Sequence, residues 1–311
     1  MKYVIKYFLI FLFTGGLINK AYTQGCSDAG FCTAGNIKPS GKDQMRNSLG
    51  FSIGYGMGER RTNIYTPQFE PQIKVTDKSM IQLKIPLVYI KGDITRKSGL
   101  GDVILTYNYL FDSAWKSPIT LTIGTRIATG TASLKKDNLP LPMPYQISLG
   151  TTDLILGVKI ELKKGFSVSV GYQQPLFNRN QNGFDSAAFK SLMKEEQLNS
   201  EDNFFISSNL KRKGDILLRI DRTHILKHGA LTVGLLPIYH LGNDKVSMGN
   251  EEVEIENSKG LTLNINMGFY HRWDNNLEFS TLFATPVIVR KSRPDGLTRA
   301  MVVVPGLRYY F

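Results

Sequence analysis

The chain has 311 residues, is 42% hydrophobic and carries a formal net charge of +12 at pH 7, with 38 Lys and Arg against 26 Asp and Glu. Such a basic balance invites a nucleic-acid reading, but the cations are scattered rather than gathered in one stripe, so that class is set aside. No window after the first two dozen residues approaches the roughly twenty apolar residues of a bilayer-spanning helix, so a helical membrane protein is excluded too.

Lys2 and Lys6 precede an apolar run over 7–18, and small or polar residues follow through Ala21 and Thr23. Charge, short apolar core and small exit residues mark a secretory signal peptide over 1–23. A retained anchor is the bland alternative. Cys26 and Cys32, the only cysteines, fall in the following segment, 24–47. Five intervening residues and an exported chain favour a local disulfide. Metal binding by this pair is not expected, because no further ligands stand nearby.

From residue 48 onward the side chains alternate with period two. Leu49, Phe51, Ile53, Tyr55 and Met57 interleave with Ser and Gly, and the same pattern recurs at 69–75, 81–89, 102–111, 119–127, 153–162 and 166–172. It continues at 215–221, 231–240, 261–269, 277–283 and 300–311. Alternation of this kind is a strand with one apolar and one polar face. The segment 203–223, broken by Gly214, reads as one long strand with a glycine kink, rising above the membrane. Short turns at 76–79, 112–116, 163–165, 227–229 and 273–276 alternate with long loops at 130–150, 178–203 and 242–260.

Export without an apolar helix, about twelve strands and alternating connection lengths predict an all-β fold. The architecture expected over 48–311 is a transmembrane antiparallel up-and-down β-barrel of the bacterial outer membrane. A secreted β-sandwich is the runner-up. The short turns then lie in the periplasm. The terminal strand, closing on Phe311, resembles the signature through which such barrels meet the barrel-assembly machinery.

The alternation aims Glu70, Lys84, Asp102, Arg126, Asp153, Lys159, Arg219, Asp221, Glu278 and Arg308 into the lumen. Charges of both signs there either pair across the interior or line a wet path. Basic clusters at 60–61, 96–97, 135–136 and 290–293 are expected to ring the outer mouth, where lipopolysaccharide phosphates lie. Two loops are unusually apolar. One is Leu139, Leu141, Met143 and Tyr145 in LPLPMPY. The other follows Phe184, where Phe189, Leu192 and Met193 repeat at helical spacing, as in a short lid. Together they are the candidate capture site for a hydrophobic ligand. Catalysis is not expected. His224, His228, His240 and His271 are the available histidines, and none has a serine beside it on an adjoining outward strand.

Gly99-Leu100-Gly101-Asp102 and Leu149-Gly150-Thr151-Thr152-Asp153 each open a strand. With the stretch 173–183 (QQPLFNRNQNG) and the closing Tyr309-Tyr310-Phe311, they resemble the barrels of the phenol-degradation MetA-pathway family, distant relatives of the long-chain fatty-acid transporters. The resemblance spans 49–311 and implies uptake of small hydrophobic or aromatic solutes, with no cofactor. After the expected signal only about two dozen residues, 25–47, precede the first strand, a departure from the fatty-acid transporters with their substantial hatch domain. A general pore, a structural or adhesive barrel and a lipid hydrolase remain as alternatives.

Overall fold

The computed structural model describes residues 45–58, 62–112, 117–186, 204–296 and 299–311. Signal, cysteine and lid expectations, including Cys26, Cys32, Phe189, Leu192 and Met193, lie outside the described residues.

Twelve antiparallel strands close on themselves. They are β1 (Ser48–Gly58), β2 (Asn63–Thr76), β3 (Ser79–Lys91), β4 (Val103–Asp112), β5 (Pro118–Ile127) and β6 (Thr151–Glu161), followed by β7 (Phe166–Asn178), β8 (Asp215–Leu226), β9 (Gly229–His240), β10 (Gly260–Arg272), β11 (Leu277–Ile288) and β12 (Arg299–Tyr310). Each pairs with its sequence neighbour, and β1 pairs with β12 in a register that sets Ser48 opposite Tyr310 and Phe51 opposite Leu307. A short strand, Arg96–Leu100, folds back on the upper part of β3. Closure leaves no free edge, which is what lets a sheet sit in hydrocarbon.

The barrel is inside-out relative to a soluble fold. Phe51, Phe69, Ile123 and Leu235 are exposed on its outer face, whereas Ser48, Glu70, Arg126, Arg219 and Asn264 are buried within it. The tyrosine row Tyr55, Tyr65 and Tyr89, with ring centroids 5.2 and 6.1 Å apart, girdles the end with the long loops. His271, Trp273 and Phe279, at 5.7 and 6.2 Å, girdle the end with the short turns. Aromatic belts at two levels mark the two membrane interfaces.

The segment 203–223 departs from expectation. Strand β8 begins only at Asp215, and residues 204–214 run irregularly over the barrel mouth. They are joined to the 241–259 loop by a bridge between Lys211 and Lys245, by hydrogen bonds from the Ser247 N–H to the Ser208 carbonyl and from the Lys213 N–H to Asp244, and by Leu210 against Val246. Three buried anchors, Phe204, Leu210 and Arg212, pull this stretch inward, so it cannot continue upward as a strand.

Candidate functional site

The inner wall from β5 to β11 is held by ion pairs. Arg126 donates to Asp153 at 2.5 Å, and Gln173 donates to the same carboxylate oxygen. Arg219 Nε meets Asp221 Oδ2 at 2.7 Å, and Lys159 lies 3.3 Å from Glu161. Towards the periplasm Arg308 donates to Glu70 at 2.8 Å, and the Ser52 hydroxyl donates to the other Glu70 oxygen. Glu278 lies 3.6 Å from Arg272 and accepts from the Tyr310 hydroxyl. Lys84 is buried one strand from Glu70, and Asp102, half-buried, accepts from the Gly130 N–H. The ten charged side chains thus point inward, and most are neutralised by a neighbour. Lys74 does not join them: it pairs with Asp77 at the periplasmic turn.

Between the Arg126–Asp153 pair above and the Arg219–Asp221 and Lys159–Glu161 pairs below runs an apolar belt of Ile155, Leu217, Leu236 and Ala284, with Ile104 and Ile238 packed against it. Glycines on the intervening strands, Gly124 beside Ile155 and Gly171 beside Leu217, let side chains two strands apart meet.

The chain itself folds into the outer mouth. Residues 141–150 are buried without interruption. Leu141, Tyr145 and Ile147 pack with Ile64 and Ile90 from the tops of β2 and β3, and with Phe184 and Phe204 from the next loop. Tyr145 and Phe184 each meet Phe204 edge-on, with centroids 6.1 and 6.5 Å away. Met143 and Leu149 turn the other way, onto Leu210 and Val246. Each such burial is worth roughly 1.5–3 kcal/mol, so the loop is a seated cork. Its seat is cut to shape. A Cβ at Gly92 would collide with the Tyr145 hydroxyl, one at Gly99 would fall 2.7 Å from Ile147, and one at Gly296 (φ +63°) 2.6 Å from Pro144.

Polar side chains fasten the cork. Gln146 donates to the carbonyls of Leu134 and Leu141 and accepts from the Leu134 N–H. Asn180 donates to the Leu149 carbonyl and Asn182 to the Leu141 carbonyl, while their own side-chain oxygens order the loop around them. The apolar residues Leu139 to Tyr145 are therefore a buried stopper, with Leu139 half-buried at its edge, and not an open capture surface.

Beside the cork lies a charged latch that the sequence reading missed. Both ring nitrogens of His240 face carboxylates, Asp215 at 2.6 Å and Asp244 at 2.9 Å. Arg212 reaches Asp215 at 3.1 Å and Asp295 at 3.3 Å, and Arg290 reaches Asp295 at 2.8 Å and the Ser258 carbonyl at 2.7 Å. Three outer loops are thereby tied to the top of β8 and β9. Burial alone would raise the Asp295 carboxyl, but Arg290 and Arg212 outweigh it and hold the group well below the usual carboxylate range. Arg290 and Arg293, expected on the basic rim, are buried here. Arg293 donates to the Arg290 carbonyl and lies over the Phe205 ring. Arg96, Lys135 and Lys136 are exposed at the outer end. No single histidine or aspartate in this stretch announces the latch; only loop packing brings them together.

No family model and no curated protein matches this chain. Solved structures do. The COG4313 outer membrane channel from Pseudomonas putida F1 superposes with a TM-score of 0.60 over 90% of this chain and 99% of its own, at 11% identity. The fold is that of an outer-membrane β-barrel. Looser likenesses are the NanC porin (TM-score 0.49, 10% identity, 85% of this chain and 100% of the porin) and the CymD monoaromatic hydrocarbon channel (0.42, 10%, 96% of each). These similar structures are channels and porins. The lipid-facing apolar wall, the two girdles and the closed sheet set this barrel in the bacterial outer membrane.

Proposed function

We propose that the protein is a gated outer-membrane channel for small, predominantly apolar solutes, aromatic ones included, and that it catalyses no reaction. The observation that carries this reading is the apolar cork. At the mouth of a general pore one expects water and charge, whereas here Leu141, Tyr145, Phe184 and Phe204 fill a seat whose walls are Ile64 and Ile90. A solute of similar chemistry can compete for that seat, and the family resemblance of the sequence points the same way. The lid expected around Phe189, Leu192 and Met193 would flank this seat, and a Cys26–Cys32 disulfide would stiffen the segment 24–47 that follows the cleaved signal.

Two partners complete the proposal. On the outward face of β3, Lys91 stands directly opposite Arg96, a like-charge pairing that is unfavourable unless an anion bridges it. Both lie one outward step above Tyr89 in the tyrosine girdle, the level of lipopolysaccharide phosphates. Strand β12 is the segment offered to the barrel-assembly machinery.

The test is uptake of labelled naphthalene by cells that express the chain, against cells that express the barrel with Tyr145 and Ile147 cross-linked to the wall through engineered cysteines. Faster uptake by the free chain is expected. Equal rates from equally folded barrels would remove the reading in favour of a structural or adhesive role.

A further inference from the structure

The lumen has two unlike halves. On β6–β10 the inward side chains Asp153, Lys159, Ser169, Arg219, Asp221, Thr232 and Asn266 are buried, and the partly accessible ones, Glu161, Thr223, Ile238 and Tyr270, do not form a continuous run. On β2–β5 the inward side chains Thr66, Gln68, Gln82, Thr106, Thr120 and Thr122 are partly accessible, from the periplasmic end up to Val88 beneath the cork. The charged groups that face this side, Glu70, Lys84 and Arg126, are themselves buried. What remains in reach is a run of hydroxyls and primary amides interspersed with the apolar Met80, Pro86, Val88 and Ile104, with Asp102 near its upper end engaged by the Gly130 N–H. The cork sits on top of this same side, since Ile64 and Ile90 of its seat are the next inward positions on β2 and β3.

We infer that solutes cross along the β2–β5 wall, and that this track selects uncharged molecules bearing a hydroxyl or amide group over ions. The inference rests on the channel reading above and narrows its substrate class. A hydroxyl both donates and accepts, so it can exchange partners from Thr66 and Gln68 to Gln82 and Thr106 on the way down. An ion would lose hydration without meeting a free counter-charge, because Glu70, Lys84 and Arg126 are withdrawn into the wall. A polyol exercises the track alone, and a solute that also has an apolar part engages the cork's seat as well.

The experiment uses the full chain in liposomes. In a background with Cys26→Ser and Cys32→Ser, single cysteines are placed on the track (Thr66→Cys, Thr106→Cys) and on the packed half (Ser169→Cys, Thr232→Cys), then exposed to a bulky, membrane-impermeant methanethiosulfonate. Track cysteines should react at least about tenfold faster, as burial of the other pair demands, and their modification should abolish influx of xylitol. Without any cysteine change, xylitol should enter at least about tenfold faster than potassium glutamate, the penalty a desolvated charge imposes. Equal labelling of the two halves, or faster entry of glutamate, overturns the inference. Labelling confined to the track with no entry of either solute would spare the track and sink the channel reading instead. Heat-modifiability in gels confirms folding of each variant, and the xylitol–glutamate comparison decides the matter if the cysteine-free barrel does not assemble.

Discussion

The wall from β6 to β10 and the wall from β2 to β5 enclose one lumen, yet they satisfy their inward polar groups in opposite ways. The first fills space with salt bridges whose partners are neighbours in register, Arg126 with Asp153 across β5 and β6, or neighbours on one strand, Arg219 with Asp221. The second keeps short hydroxyl and amide side chains that leave room. Charges in a low-dielectric interior must pair or be lost, so a wall rich in them becomes rigid and closed. Where the charges are withdrawn, as Glu70, Lys84 and Arg126 are on the second wall, the neutral polar side chains left in reach carry no such obligation and can stay open to solvent or solute. The difference suggests that one half of the barrel is scaffold and the other half is passage.

The sharpest way to break that comparison is Asp153→Ala. Removing this carboxylate strands the buried Arg126 guanidinium and the Gln173 amide together, which should cost about 3–5 kcal/mol. Urea unfolding of the detergent-solubilised barrel, followed by tryptophan fluorescence, measures it. The paired replacement Arg126→Met with Asp153→Leu should recover most of the loss, because it removes the charge that was stranded. If the single and paired variants are equally unstable, the pair is not what stiffens this half.

Next in size is Tyr145→Ala. It empties the centre of the cork and should loosen the loop by about 2–4 kcal/mol. Amides near 134–149 should then exchange faster while those of the strands stay protected, and a planar bilayer should show current steps that the unaltered chain lacks. Unchanged exchange would mean that the Gln146 and Asn182 hydrogen bonds seat the loop by themselves.

The strands and their facing could be read from sequence because a period of two is a local property: Leu49, Phe51 and Ile53 need only each other to declare a face. Cork and latch could not be read that way. LPLPMPY announces that it is apolar, but whether it lies in solvent or in the lumen depends on glycines at 92, 99 and 296, two of them over forty positions upstream and one far downstream. Asp244, His240 and Asp295 carry no motif, and the arginines at 290 and 293 read as a basic rim because their carboxylate partners sit on other loops. For the same reason residues 204–214 read as strand: nothing within them discloses that Leu210 and Arg212 are drawn inward.

The latch gives a smaller effect with a definite sign. Asp295 has a carboxyl depressed below the ordinary value, so its stabilising contribution is complete above the unfolded value of about 3.9 and is lost only as pH falls through the lower folded value. Pepsin should therefore spare the 289–296 loop at about pH 4 and cut it only at the most acid pH that the protease tolerates. Cutting already at the higher pH would mean that Arg212 and Arg290 do not hold the carboxylate. The Asp295→Asn variant, which keeps shape but not charge, should be cut at both.

The smallest effect on stability is expected where the comparison matters most for function. Gln82 faces the track from β3 and is partly accessible. Gln82→Leu should change unfolding free energy by no more than about 0.5 kcal/mol, since no buried partner is orphaned. It replaces one amide in the run of exchangeable partners with a group that can neither donate nor accept. Xylitol influx should fall several-fold while the barrel remains fully folded, and glutamate influx should not rise. A matching polar-to-apolar change on the packed half, Thr232→Val, should do the reverse: it costs some stability, because Thr232 Oγ1 shares a 2.9 Å hydrogen bond with Thr223 Oγ1, and it should leave influx untouched. If both variants slow xylitol alike, the two walls share the passage, and the division between scaffold and track is wrong.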